Sequence, residues 1–375
     1  MNGSVRHLYV HVPFCAHRCG YCDFVTIVGR EGLHGRYVDA LLAELELERE
    51  VLDQPLATVF LGGGTPTFTE SGELRRLLAA LPPAGEVTVE ANPETVTAEL
   101  ARVLRDAGVS RVSLGAQTFR PELLKVLERQ AGPDDVRRAF YHLRDAKFGN
   151  ISLDLLHGIP GQGTADLEYD IDEALALEPE HISYYELEAK PGTRFAHAHG
   201  VELVRQAEAM EGYFELVIER LTEAGYRWYE TANFCRAPER VRGRDLRARH
   251  NLAYWLGRDY LGLGIGAVST LGDRRLRNTP RLNGYIAALA AGERPAREIE
   301  LLDARIRTDE RVMLGLRLDT GLALEDAGDS LDTAALGRLE RLGLASRVGS
   351  GGSETVVLTP RGRRLGGAVT AELLA

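Results

Sequence analysis

Short apolar, β-branched runs recur along the first half of the chain, at Leu8 to Val12, Ala57 to Leu61, Val87 to Glu90, Arg111 to Leu114, Ile151 to Leu155 and His181 to Leu187. Between and after them the apolar residues change to three- and four-residue spacing. That spacing predicts helices over Tyr37 to Val51, Ser71 to Leu81, Ala98 to Ala107, Asp134 to Ala146, Ala165 to Leu177 and Val204 to Ala224. In the first of these, Val38, Leu41, Leu42, Leu45 and Leu47 fall near one stripe with acids opposite. Six strand–helix units in succession imply parallel strands with covering helices, an α/β fold of the (β/α)6 barrel type, complete or open. In such barrels the chemistry gathers in the loops after the carboxyl ends of the strands.

The alternation ends near Gly225. Residues 226–300 hold a short strand candidate, an arginine-rich segment, the run His250 to Trp255 and the glycine-rich apolar stretch Tyr260 to Gly266. They read as a connecting region packed on the barrel. Residues 301–375 carry helical patterns at Thr308 to Leu318 and Thr333 to Leu344. A glycine-broken strand pair, Ala345 to Leu358, and a last helix from Pro360 complete the pattern of a small winged-helix-like unit. Three parts are therefore expected, 1–225, 226–300 and 301–375.

Composition narrows the class. The formal net charge is -10 over 375 residues, and no long basic run offers the electropositive face that a phosphate backbone needs, so nucleic acid is not the expected partner. The terminal unit, with ten Arg against eleven Asp plus Glu, is no exception. No apolar run reaches the length of about 18 residues that a membrane span requires. The segment Met1 to Leu8 lacks the charge-then-apolar order of a leader, so a cytoplasmic protein is expected.

Three of the four cysteines, Cys15, Cys19 and Cys22, lie within eight residues, directly after the first predicted strand; Cys235 stands alone and reads as a buried or incidental thiol. Thiols so clustered in a large chain without a secretion signal read as metal or cluster ligands rather than as a disulfide framework. Zinc would need a fourth ligand, which His11 or His17 could supply. An iron–sulfur cluster on three thiolates leaves one iron open to a ligand that is not protein. Gly62-Gly63-Gly64-Thr65-Pro66 follows the second strand, where glycines permit close backbone approach to a ligand. Glu90, in Val-Glu-Ala-Asn-Pro93, closes the third strand and could accept from ribose hydroxyls or an ammonium group.

The segment Tyr9-Val-His-Val-Pro-Phe-Cys-Ala-His-Arg-Cys-Gly-Tyr-Cys-Asp-Phe24 resembles the radical S-adenosylmethionine superfamily, whose members carry this three-cysteine spacing after the first barrel strand. The resemblance implies a 4Fe-4S cluster on Cys15, Cys19 and Cys22. It also implies S-adenosylmethionine on the open iron, a cofactor set including Tyr9, Gly63, Gly64, Thr65 and Glu90, and Tyr21 against the adenine. It narrows to the oxygen-independent coproporphyrinogen dehydrogenase group and its haem-chaperone relatives through Leu61 to Thr67, Glu90 to Pro93, Ser113 to Phe119, Leu127 to Gln130, Asp154 to Gln162 and Tyr260 to Ser269. Matched residue by residue, Gln117, Arg129 and Asp154 would belong to the S-adenosylmethionine pocket. Asp154 stands out because an acid within Ile-Ser-Leu-Asp-Leu-Leu would otherwise sit in an apolar strand at a cost of several kcal/mol.

Two features favour the chaperone branch. Phe24 stands where the dehydrogenases carry a further cysteine, and His250-Asn251-Leu252-Ala253-Tyr254-Trp255 matches the chaperones' His-Asn-x-x-Tyr-Trp segment. The resemblance thus implies haem held at His250, Asn251, Tyr254 and Trp255, and passed to an acceptor apoprotein, with membrane respiratory proteins as the acceptors it points to. It also admits a homodimer. On a helix, His250 and Tyr254 would share a face and offer an iron ligand beside aromatic surface. The segment from Arg236 to Arg249, with a local net charge of +4, could pair with haem propionates or an acidic partner. One departure from the chaperones is Val268, where they generally carry histidine. The rival function is oxidative decarboxylation of coproporphyrinogen, or another radical transformation.

Overall fold

The structure is a computed structural model that describes residues 5–190, 193–349 and 354–374. The tip of the Ala345 to Leu358 strand pair and the first four residues of the leader reading lie outside the described residues.

Six strands, β1 (His7–Val12), β2 (Leu56–Gly63), β3 (Ala84–Ala91), β4 (Arg111–Gln117), β5 (Ile151–His157) and β6 (His181–Glu186), pair in parallel, each beside its sequence neighbour. All six apolar runs lie on them. A hairpin of β7 (Tyr226–Glu230) and β8 (Asn233–Arg236) adds antiparallel to β6, and β9 (Leu261–Leu263) adds parallel to β1. The order is β7-β8-β6-β5-β4-β3-β2-β1-β9, so the sheet ends on two different strands and forms a partial barrel. Beyond Gly225, therefore, the chain still supplies sheet. The arginine-rich stretch starts at the end of β8, one strand in from the β7 edge, and the glycine-rich Tyr260 to Gly266 run supplies the opposite edge strand, β9.

Strand alternation divides the sheet into an apolar and a polar face. Leu8, Val10, Val59, Leu61, Val89, Val112, Leu114, Leu153, Leu155 and Ile182 are fully buried in the main core under the covering helices. Tyr9, Glu90, Arg111, Ser113, Asp154, Ser183 and Tyr185 face the concave side. The covering helices run from His34–Leu47, Ser71–Ala80, Ala98–Asp106, Pro133–Asp145 and Thr164–Ala176. In place of one helix over Val204 to Ala224 there are two, Arg194–Gln206 and Met210–Glu223, separated by a turn at Ala207–Ala209. The break is pinned by Gln206, whose buried amide donates to the carbonyls of Ile159 and Gln162 at 2.9 and 2.8 Å.

Glu44, fully buried on helix His34–Leu47, holds the β9 region in place. It accepts from Gly264 N, Tyr285 Oη and Asn278 Nδ2 at 2.7–2.8 Å and pairs with Arg297 at 3.1 Å. A buried carboxylate is tolerable when it is satisfied on every side, and its loss would leave those donors unpaired. A small antiparallel sheet of β10 (Val268–Leu271), β11 (Arg274–Asn278) and β12 (Arg297–Leu301) follows. The last part packs helices Ala304–Gly315 and Thr333–Arg341 against an antiparallel sheet of β13 (Leu322–Ala323), β14 (Ala345–Val348) and β15 (Thr355–Leu358), with β15 central, the arrangement of a winged-helix unit. Its core, including Val312, Leu336, Leu339 and Val356, is separate from that of the barrel. Arg227–Asp319 and Arg317–Glu230 ion pairs join the two. Among the described residues no helix is long and apolar enough to cross a membrane.

Candidate functional site

The cysteine loop leaves β1 and is closed on itself: Cys15 N donates to Ile27 O at 3.0 Å and Ile27 N to Pro13 O at 2.8 Å. The Gly62–Thr65 turn of β2 is tied beneath it, with Gly64 N donating to Val12 O and Thr65 N to Phe14 O, both at 2.8 Å. The closeness explains the glycines. A Cβ on Gly64 would lie 2.5 Å from the Pro13 carbonyl, and Gly63, at φ 112°, would drive one into the His11 ring at 2.4 Å. The space a side chain would need is thus filled by His11 at the end of β1 and by the start of the cysteine loop, while the backbone of Gly63 and Gly64 stays on the wall of the cavity.

Cys15, Cys19 and Cys22 all line one cavity of about 560 Å3 on the concave face of the sheet. Burial pushes the Cys15 and Cys22 thiols upward; Cys15 is pushed further by Cys22 and Cys19, and Cys22 by Cys19. A bound cation reverses that balance, because a coordinating thiol is deprotonated outright. Among the described residues no three His, Cys, Asp or Glu side chains converge on one ion-sized point. His11 does not complete a zinc site: it is buried, with Nδ1 3.1 Å from Tyr9 Oη and Nε2 2.8 Å from Val25 O. Three thiols spaced along a cavity wall, with free volume before them, suit a group larger than a single ion, and the donor set fits a cluster.

A string of polar contacts joins two of the cysteines around the rim. Cys15 Sγ lies 3.4 Å from Thr65 Oγ1; Asn92 Nδ2 donates to that hydroxyl at 3.1 Å; Arg129 Nη2 donates to Asn92 Oδ1 at 3.1 Å; and Arg129 Nη1 approaches Cys19 Sγ at 3.7 Å. Arg129 also donates to Gly115 O at 2.9 Å. Tyr21 and Tyr9 lie on the same cavity wall. Gln117 follows a register shift in β4 and holds φ at 66°, a left-handed conformation unusual for a residue with a side chain.

Two carboxylates stand deeper. Glu90 Oε2 accepts from Gly63 N at 3.1 Å, and burial, reinforced by the nearby Asp154 charge, raises its pKa to about 7. Asp154 Oδ2 accepts from Ser113 Oγ at 2.8 Å; burial pushes it up while Arg111 and the serine hydroxyls pull it back. Arg111 is only 2% exposed and its Nε has no hydrogen-bond partner among the described residues. The sequence reading missed Asn92, Arg111 and Ser113. Asn92 carried a signal, its place before Pro93 at a strand end, whereas Arg111 looked like the charged start of an apolar strand.

The His-Asn-x-x-Tyr-Trp segment forms helix Arg249–Trp255 against the same cavity, its first amides donating to Glu86 Oε1 at 3.0 and 3.3 Å. His250, Asn251 and Tyr254 line the same cavity as the cysteines; Trp255 lines instead a smaller cavity with Tyr254, Tyr260 and Arg307, the Arg317 guanidinium 4.7 Å from its ring centre. The His250 ring stacks on Phe60 at 5.2 Å. Nδ1 lies 2.7 Å from Thr58 Oγ1 and Nε2 2.8 Å from Tyr254 Oη, and burial lowers the pKa to about 3. The arginines before the helix do not line this cavity. Arg236 donates to Pro179 O, Arg244 to Gly149 O, and Arg247 pairs with Asp245. Cys235 is buried, its thiol pushed up to about 12.

Residues 9–174 match the family model of the Radical SAM superfamily. The structure superposes on coproporphyrinogen III oxidase, HemN, of Escherichia coli, described as a radical SAM enzyme. The TM-score is 0.78 over 98% of this chain and 90% of that one, and at 21% identity the likeness speaks for the fold. Fold, cysteine loop and family model define a radical SAM protein with a partial (β/α)6 barrel. In sequence the chain is 37% identical over 391 residues to the heme chaperone HemW of Mycobacterium tuberculosis, spanning 100% of this chain and 96% of that one. It is 34% identical over 385 residues to HemW of Bacillus subtilis, spanning 99% of both. The chain belongs to the HemW family.

Proposed function

We propose that this protein carries haem and passes it to an acceptor apoprotein, with a 4Fe-4S cluster on Cys15, Cys19 and Cys22 and S-adenosylmethionine beside it. One observation carries the reading: the three cysteines and the His250–Tyr254 helix face the same cavity. When bound, a reduced cluster supplies a low-potential electron to a sulfonium in a site sheltered from water. The residues around it bind and orient. Glu90 and Asp154 accept from hydroxyl or ammonium donors, Arg129 and Gln117 hold a carboxylate or amide, and Tyr21 and Tyr9 give flat apolar surface. On this reading the barrel of residues 1–225 holds the cluster, 226–300 brings the haem helix, and 301–375 is the terminal unit. Phe24 stands 63% exposed at the cavity mouth, an apolar side chain that a bound planar ligand would cover.

Membrane respiratory haem proteins, loaded from the cytoplasmic side, are the acceptors that this reading names. The test is anaerobic mixing of cluster-reconstituted, haem-loaded protein with an apo-haemoprotein. Movement of the haem absorption band to the acceptor, with no conversion of coproporphyrinogen by the same preparation, is the expected result. Conversion of coproporphyrinogen without haem transfer would instead establish the decarboxylase.

A further inference from the structure

Helix Arg249–Trp255 is tied to the sheet at its start by more than Glu86. Ala248, the residue before it, donates from its backbone N to Tyr229 Oη at 3.2 Å. Tyr229 Oη lies 2.7 Å from His181 Nε2, His181 Nδ1 lies 2.8 Å from Ser152 Oγ, and Ser152 Oγ donates to Asp154 Oδ1 at 3.2 Å. These contacts run without a gap from Asp154, on the wall of the cluster cavity, to the start of the helix that bears His250. Ser152, His181 and Tyr229 are fully buried behind that wall, out of reach of the space a ligand would fill. We propose that Ser152, His181 and Tyr229 are positioning residues that report the occupancy of Asp154 to the haem helix, so that a donor bound at Asp154 loosens the helix start and speeds the release of haem. The proposal rests on the haem-carrying reading above and names residues that act on it from outside the binding cavity.

Local structure places each link. Ser152 and His181 are register partners on β5 and β6, and Asp154 follows Ser152 by two positions on the same face. Tyr229 lies where the pairing of β7 with β8 shifts register between Trp228 and Glu230. A bulge re-aims a side chain, and here the Tyr229 ring meets His181 edge-on, the ring centres 5.6 Å apart. Tyr229 is also where three parts of the molecule join. Its carbonyl accepts from Asp319 N of the terminal unit at 3.0 Å, and its ring shares a small apolar cluster with Leu246, Leu252 and Leu318.

While Asp154 is ionised, the protons of the chain run in one direction. An ionised carboxylate only accepts, so the single Ser152 hydroxyl proton goes to Asp154. Ser152 then accepts from Nδ1–H of His181, Nε2 is left bare to accept from the Tyr229 hydroxyl, and the Tyr229 oxygen accepts from Ala248 N. Burial keeps the His181 ring in the one-proton form this order requires, its pKa well below the ordinary value, and holds the Tyr229 hydroxyl protonated.

Every donor thus points toward the Asp154 charge, and hydrogen bonds in such a chain polarise one another. An ammonium or hydroxyl group of a ligand at Asp154 competes with Ser152 for the carboxylate, and the lost polarisation weakens each bond down to Ala248. Glu86 and Thr58 hold the same helix turn from β3 and β2, Glu86 Oε1 accepting from Arg249 N and His250 N and Thr58 Oγ1 meeting His250 Nδ1. The Asp154 chain differs from these two contacts in beginning at a group that a ligand occupies.

The experiment is anaerobic transfer of haem from the cluster-reconstituted, haem-loaded, full-length protein to an excess of an apo-haemoprotein, followed by absorption with and without S-adenosylmethionine. The cofactor is used at concentrations that calorimetry shows to saturate each variant. Wild type is expected to release haem roughly two- to fivefold faster with S-adenosylmethionine present. S152A and Y229F each remove one hydroxyl from the chain, and H181F removes both ring nitrogens. All three are expected to take up haem with wild-type stoichiometry and to release it at the same rate with and without S-adenosylmethionine. H181Q, whose amide has one donor end and one acceptor end, is expected to restore part of the response. A merely structural role would lower stability, which urea unfolding reads separately, and would leave the ratio of the two rates at its wild-type value. If wild type shows no response to S-adenosylmethionine, or if S152A and Y229F keep it in full, the coupling is refuted and the haem-carrying reading stands. If wild type takes up no haem, both fail together.

Discussion

The hydroxyl of Tyr254 lies 2.8 Å from Nε2 of His250, one helical turn away, and occupies the nitrogen through which that histidine would ligate iron. A consistent proton assignment has Tyr254 donating to Nε2, Nδ1–H donating to Thr58 Oγ1 at 2.7 Å, and Thr58 donating to His7 Nδ1 at 2.9 Å. Haem ligation by His250 must therefore displace a hydrogen bond worth about 1 kcal/mol. Tyr254→Phe keeps the aromatic surface and frees the nitrogen. Titration of that variant is expected to show haem binding tighter by roughly three- to tenfold. Weaker binding would make the hydroxyl itself a haem contact.

Acid acts on the same residue through folding. Burial holds His250 at a pKa of about 3 against the ordinary 6.5, so between those values the unfolded chain binds a proton that the folded chain refuses. Its contribution to stability is intact above pH 6.5 and is lost as pH falls through that window. His7 and His157, each lowered to about 4, act in the same direction. Urea unfolding of wild type and His250→Phe between pH 4.5 and 7.5 isolates the effect. The stability difference is expected to shift against wild type by up to about 1.4 kcal/mol per pH unit below 6.5. A pH-independent difference would mean that His250 is already charged or solvated in the fold.

Glu90 titrates in the opposite sense. With its pKa raised to about 7, it is largely protonated at pH 6 and largely ionised at pH 8, and only the ionised form presents both oxygens as acceptors and a negative charge. S-adenosylmethionine affinity, measured calorimetrically on reconstituted protein, is expected to rise roughly eight- to tenfold more across that range in wild type than in Glu90→Gln. Parallel pH profiles would remove Glu90 from the binding site.

Gly64 fixes the distance between the glycine turn and the cysteine loop. Gly64→Ala places a methyl group 2.5 Å from the Pro13 carbonyl, which must move and carry Cys15 with it. Overpacking of this kind costs about 1–3 kcal/mol, and iron and sulfide retained after reconstitution are expected to fall by more than the loss of stability alone explains. Gly72→Ala, where only Glu70 comes within contact distance, at 3.9 Å, serves as the control.

The sequence made the cluster side of the site legible because its chemistry is local. Three thiols within eight residues and a glycine turn after an apolar strand need no tertiary contact to be noticed. The strands were legible because their outward residues all enter one core. Other features depend on distant partners: β9 is three residues long and exists by pairing with β1, and the helix break at Ala207–Ala209 follows from Gln206 reaching back to Ile159 and Gln162. The motif reading grouped Trp255 with His250 and Tyr254, but adjacent positions on a helix point in different directions, and Trp255 faces Arg317 instead.

The central claim is that a cluster held by three cysteines and haem occupy one protein. It is tested most directly by quantifying iron, acid-labile sulfide and haem iron in a single anaerobically reconstituted, haem-titrated sample, beside Cys19→Ala. About four cluster irons and about four sulfides per chain are expected in wild type, with haem bound in addition and the sulfide lost in Cys19→Ala. Zinc without sulfide, or a full cluster in a protein that leaves haem free in solution, would contradict it.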